Sequence, residues 1–79
     1  MNNLEKYNAA FCETLNVEEA QLTNLKYQDI PEWDSVGHMT LVAALEDAFD
    51  IMMETDDIID LSSYQKGKEI LGHYDIVIE

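Results

Sequence analysis

Ser35 is the residue best placed to do chemistry, because it follows Asp34 at the start of a predicted helix. The carboxylate of Asp34 can accept the free backbone N–H groups of the first helical turn. A phosphate ester on the Ser35 hydroxyl would meet the same N–H groups and the positive end of the helix dipole. Asp-Ser pairs are also common as plain helix caps, so the dipeptide alone leaves both interpretations open.

The other chemically capable side chains do not form a catalytic or metal-binding pattern. His38 and His73 are predicted to lie on helix surfaces, and neither stands in a zinc motif. Ser35 and His38 are about one helical turn apart, but no oxyanion-hole signature accompanies them, which argues against a hydrolase. Cys12, the single cysteine, is expected to be a small core residue. We therefore expect no catalytic residue and no metal ion.

The spacing of apolar residues predicts two long helices that would position Ser35. Apolar residues recur every three or four positions over residues 3–15 and over residues 35–50. The second stripe includes Val36 and Met39. Residues 16–31 lack this periodicity and predict a long loop, pinned to the core by scattered apolar side chains.

Two shorter helices are predicted in the last third of the chain. Thr55 is expected to cap a short helix, with Ile58 and Ile59 turned inward. Ser62 and Gln65 have the spacing of a capping box for a last helix that ends near Gly72 or His73. Gly67 inside that helix would allow a close contact with another helix. The sequence predicts one all-α domain over residues 1–79, a four-helix bundle with a long first loop and a short third helix.

The residues around Ser35 extend the pattern beyond a cap. The pattern consists of Asp34-Ser35-Val36, Met39, Leu41-Val42, Leu45-Glu46 and Phe49-Asp50. It resembles the acyl carrier protein signature D-S-[LV]-x-x-[VIM]-x-L-[VI]-x-x-L-E-x-x-F, and the resemblance extends over essentially the whole chain. It implies that a phosphopantetheinyl transferase attaches 4′-phosphopantetheine to Ser35, with Asp34 aiding the modification. The thiol of the arm would then carry acyl or aminoacyl groups as thioesters.

Departures from the family pattern concern the partners of the predicted carrier. Gly37 and Thr40 stand where carriers of bacterial fatty acid synthesis usually have acidic residues, and Trp33 also differs from those proteins. The resemblance is closer to specialised carriers that work beside ligases, acyltransferases or secondary-metabolite enzymes. Of the methionines, Met39, Met52 and Met53 are candidates to line a space for the cargo, although methionines at helical spacing commonly pack in the core.

The charge of the chain bears on its partners. Seventeen acidic residues against four basic residues give a net charge of −13. Such a chain repels nucleic acid and anionic membranes and favours partners with basic patches, although the charge of an acidic protein can also serve solubility alone. On the resemblance, Val36, Glu46, Asp47 and Asp50 would form the surface that binds the transferase, the loading ligase and downstream transferases.

The remaining expectations concern location and alternatives. No signal peptide or membrane-spanning run is visible, and one cysteine fits a reducing compartment, so we expect a cytoplasmic monomer without membrane insertion. A carrier-like fold can also act unmodified, as an acidic module that binds other proteins. The intact Asp34-Ser35 pair favours the carrier.

Overall fold

The computed structural model describes residues 2–78, which form a small all-α fold. Its four helices are α1 (Asn3–Leu15), α2 (Ser35–Phe49), α3 (Thr55–Asp60) and α4 (Tyr64–Gly72). The predicted helices over 3–15 and 35–50 are confirmed, with the second ending one residue earlier. Within residues 2–78 no strand forms beyond an isolated bridge, and no helix is long and apolar enough to cross a membrane.

Helix α1 forms one wall of the core. The Asn2 side chain caps it by accepting the Glu5 N–H at 2.8 Å, and Asn16 ends it in a left-handed conformation with φ 56°. The helix buries a stripe at helical spacing that consists of Tyr7, Ala10, Phe11 and Leu15. Burial raises the pKa of the Tyr7 phenol, and its hydroxyl donates to the Tyr64 carbonyl.

The long first loop is tied to the core, as predicted. Leu22 and Leu25 are buried, and the loop contains only a short 3₁₀ helix, Glu19–Gln21. Its backbone pairs with the chain before α4: the Tyr27 N–H donates to the Ser62 carbonyl at 2.9 Å, and the Tyr64 N–H donates to the Leu25 carbonyl at 3.0 Å. These bonds hold the segment that leads to Ser35.

Helix α2 buries a narrower stripe than predicted. Leu41, Val42 and Leu45 are buried, whereas Val36 and Met39 are 75% and 53% exposed. Both exposed residues lie in the first turns of α2, near Ser35. The buried part of the apolar stripe therefore begins only at Leu41.

Helix α3 differs from its prediction in two respects. Its cap residue is Glu54, which makes no side-chain capping bond, and Thr55 is the first helical residue. Ile58 is half-buried, but Ile59 is 73% exposed and faces away from the core. The six residues of α3 include no buried side chain. The stability of this helix therefore depends on its contacts with the rest of the protein.

The predicted cap of α4 is wrong by one residue. Ser63, not Ser62, precedes the helix, and its hydroxyl accepts the Lys66 N–H at 2.9 Å. The Gln65 side chain donates instead to the Thr23 carbonyl in the long loop. The close contact predicted at Gly67 is confirmed, since a Cβ there would lie 2.1 Å from the Tyr7 hydroxyl oxygen.

Candidate functional site

Ser35 is exposed at the first position of α2. The Asp34 side chain caps the helix, as predicted, by accepting the Gly37 N–H at 2.9 Å. The Ser35 hydroxyl oxygen lies 3.5 Å from that of Tyr27. The structure thus places an accessible hydroxyl at the positive end of the longest helix among residues 2–78.

The space around Gly37 is too small for an acidic side chain, or for any side chain, at this position. A Cβ at this position would lie 1.9 Å from the carbonyl oxygen of Glu32. The loop therefore packs against the first turn of α2 so closely that only glycine fits without a shift of the backbone. This contact fixes the approach of the loop to Ser35.

A largely apolar groove of about 340 Å³ opens beside Ser35. Helix α2 contributes Ser35, His38 and Met39 to it, and the opposite side is formed by α3 and the residues after it. Tyr27 from the long loop completes the lining. The residues opposite α2 are Ile58, Ile59, Leu61 and Ser62. An apolar chain attached near Ser35 could lie in this groove.

Only one of the three candidate methionines lines the groove. Met39 does so, whereas Met52 is 87% exposed and Met53 is buried in the core. Met39 therefore fits the groove-lining alternative, and Met53 packs in the core, as methionines commonly do. Met52 fits neither alternative, because its side chain is exposed away from the groove.

His38 is not the surface residue that the sequence predicted. Its ring is half-buried, and its Nδ1 accepts the indole N–H of Trp33 at 3.0 Å. Since Nδ1 accepts, the proton lies on Nε2, which donates to the Ile58 carbonyl oxygen at 2.7 Å. His38 thus connects the loop, α2 and α3, and both ring nitrogens point to these partners rather than to Ser35.

The residue in the sequence that could have indicated the buried contacts of His38 is Trp33. The indole of Trp33 is fully buried, and a buried indole N–H usually finds a hydrogen-bond acceptor. The Trp33 and His38 rings are nearly parallel, with 17° between their planes, and their centroids are 6.3 Å apart. They therefore meet edge to edge through the hydrogen bond and do not stack face to face. Sequence reasoning did not assign an acceptor to the Trp33 N–H, and therefore missed His38.

The predicted partner-binding carboxylates differ in how exposed they are and in what they contact. Glu46 is half-buried and accepts the Met53 N–H at 2.8 Å, which ties the end of α2 to the segment before α3. Asp47 is exposed and borders a different groove, between α1 and α2. Asp50 is exposed at the end of α2, with φ 54°. At about 100° per residue, Asp50 lies roughly 60° and Asp47 roughly 120° around the helix from Ser35.

The thiol of Cys12 is half-buried and packs against the core. Burial, with smaller contributions from Glu19 and Glu13, raises its pKa. The neutral thiol is therefore favoured, which fits the packing role predicted for it. No group of three or more histidine, cysteine, aspartate or glutamate side chains within residues 2–78 could hold a metal ion.

In comparisons with known proteins, no family model, no curated protein and no solved structure matches this chain.

Proposed function

We propose that this protein is an acyl or aminoacyl carrier that holds its cargo as a thioester on a 4′-phosphopantetheine arm attached to Ser35. The observation that carries the proposal is the exposed Ser35 hydroxyl at the start of α2, beside an apolar groove. Four helices, a long first loop and a short α3 support the proposal, since the resemblance to acyl carrier proteins implies these elements.

The environment of Ser35 suits a phosphodiester. The first-turn N–H groups of a helix have no helical partners, and the helix dipole favours negative charge at this end. Asp34 already binds the Gly37 N–H, so the cap persists when the serine is modified. An exposed hydroxyl also meets the requirement that a transferase reach it.

The groove suits the cargo that the arm would carry. A flexible arm raises the effective concentration of its thioester at each docked enzyme. The cofactor supplies the thiol, and the protein supplies presentation and recognition. Between encounters, an apolar acyl chain can lie against Met39 and Ile58 in the groove, where water has less access to it.

The proposed partners are a phosphopantetheinyl transferase, a loading ligase and downstream transferases of a specialised biosynthetic pathway. The net charge of −13 favours partners with basic patches. Val36 is 75% exposed immediately after Ser35, Asp47 is exposed on α2, and Asp50 is exposed directly after its last residue. A monomer in the cytoplasm is part of the same proposal.

The test is intact-mass measurement after incubation with coenzyme A and a broad-specificity phosphopantetheinyl transferase. The wild type is expected to gain the mass of one phosphopantetheine, and Ser35→Ala to gain none. Ser62→Ala is the matched control, because Ser62 lines the same groove and is also exposed. It is expected to be modified like the wild type.

Two outcomes would overturn the carrier proposal. Modification that persists in Ser35→Ala would place the attachment at another residue. A folded wild-type protein that takes up no phosphopantetheine would favour the alternative, an unmodified acidic module that binds other proteins.

A further inference from the structure

Polar contacts help to hold helix α3 in place, besides the packing of Ile58 against the core. None of its side chains is buried, and a helix of six residues is not stable alone. On the side of α4, the Tyr74 hydroxyl donates to the Asp57 carboxylate at 2.5 Å and accepts the Glu54 N–H at 2.8 Å. On the side of α2, the Ile58 carbonyl accepts from His38 at 2.7 Å. Short segments with little buried apolar surface open most readily.

The bond from His38 to Ile58 depends on a second bond. Trp33 donates to Nδ1, which fixes the tautomer that carries its proton on Nε2. A buried indole has little freedom to move, so it also fixes the plane of the imidazole. Ile58 lies in the last turn of α3, where helix carbonyls lack helical donors. The three groups therefore form one chain of hydrogen bonds from the core to α3.

We propose that His38 is a positioning residue, which in its neutral form holds α3 against α2 and thereby sets the shape of the groove beside Ser35. His38 and Ile58 both line that groove, so a change in their contact changes the groove directly. If Ser35 carries a cargo, as proposed above, His38 determines how far an apolar cargo is sheltered from water.

His73 also contacts α3, since its Nδ1 lies 3.7 Å from the Asp57 carboxylate. The wild type and the His38 variants are therefore compared at one pH, so that this contact is the same in each.

The test is hydrogen exchange of the α3 amides in the unmodified protein, expressed as protection factors. His38→Phe keeps a planar ring but loses both hydrogen bonds, and should lower protection at Ile58–Leu61 by about three- to tenfold. Protection in α1 should stay unchanged.

His38→Gln supplies the conservative rescue. Its amide N–H can reach towards Ile58, so part of the α3 protection lost in His38→Phe should return. If His38→Phe does not fold, His38→Gln is compared with the wild type, and its α3 protection should be the lower of the two. Unchanged α3 protection in His38→Phe, or in His38→Gln where only that variant folds, would overturn the proposal.

A second measurement addresses the cargo. The holo protein is loaded with a short and with a medium-chain acyl group, and the hydrolysis of each thioester is followed. His38→Phe should speed hydrolysis of the medium-chain thioester several-fold and leave the short one unchanged. Equal rates for the medium chain would contradict the role in sheltering cargo. Failure to load Ser35 would instead contradict the proposed function, while the exchange experiment would still decide the position of α3.

Discussion

At the scale of single residues, Gly67 shows how α1 and α4 come together. The Tyr7 hydroxyl occupies the space where a side chain at residue 67 would begin, and the same hydroxyl donates to the Tyr64 carbonyl. Helix propensity favours alanine over glycine by about 1 kcal/mol, but packing in the core opposes that preference. The glycine is required by the contact with α1, not by the conformation of α4.

We expect Gly67→Ala to destabilise the protein by roughly 2–3 kcal/mol. Overpacking costs about 1–3 kcal/mol, and displacing Tyr7 also weakens a buried hydrogen bond. Gly72→Ala is the matched control, because a Cβ there has no neighbour within 4 Å. It should gain up to about 1 kcal/mol. Urea unfolding of both variants measures the difference, and similar stabilities would show that the Tyr7 contact is not constraining.

At the scale of elements, the end of α2 has a structural role that overlaps with the docking surface proposed for it. Glu46 binds the Met53 N–H, so a change at Glu46 alters the fold as well as the surface. Asp50 ends the helix in the left-handed region, which asparagine also adopts readily. A carboxylate at a helix C-terminus is unfavourable because it opposes the dipole. Docking of α2 is therefore best tested at Asp47 and Asp50.

We expect Asp50→Asn to slow modification of Ser35 by a phosphopantetheinyl transferase roughly two- to fivefold at low salt. This is the effect expected from the loss of one surface ion pair with the transferase. Asp47→Asn should have a smaller effect, because Asp47 lies farther around α2 from Ser35. Glu69→Gln on α4 removes the same charge from an exposed position and is the control. The measurement is kcat/KM at low and high salt, and the effect should shrink as salt screens the charges.

The same Asp50→Asn variant should be more stable than the wild type by about 0.3–1 kcal/mol, since it removes a negative charge from the negative end of α2. A slower modification together with a higher stability would separate docking from folding. If Glu69→Gln slowed modification as much as Asp50→Asn, net charge rather than a surface on α2 would govern the encounter.

At the scale of the whole molecule, the acidic charge is confined to a small volume. The protein measures about 30 × 26 × 19 Å and carries a net charge of −13. The Debye length is about 30 Å at 0.01 M ionic strength, comparable with the molecule, and about 8 Å at 0.15 M. Repulsion between the carboxylates therefore acts across the entire fold at low salt.

We expect the thermal midpoint to rise by several degrees when NaCl is increased from about 0.01 to 0.15 M. The double variant Glu13→Gln and Glu69→Gln removes two exposed charges and should show a smaller rise. The measurement is thermal unfolding followed by circular dichroism. A midpoint that is flat or falls with added salt would show that repulsion is not a significant contribution to stability.

The sequence by itself determined the long helices and the position of the candidate site. The apolar periodicity of α1 and α2 and the Asp34 cap are local properties, because side chains three or four apart share a helix face and a cap acts within one turn. The exposure of Ser35 at the start of α2 follows from these local properties. The requirement for glycine at Gly37 and Gly67 does not follow from them, since it depends on atoms of Glu32 and Tyr7 that the fold brings close.

The tertiary structure decided the details that depend on distant partners. Ser63 rather than Ser62 caps α4 because the Tyr27 N–H and the Leu25 carbonyl pair with the chain at this point and set its register. His38 is drawn inward because the buried Trp33 N–H needs an acceptor and the Ile58 carbonyl needs a donor. Neither need is visible in local spacing. A buried polar group takes whichever partner the folded chain brings within reach, because leaving it unpaired costs about 1–3 kcal/mol.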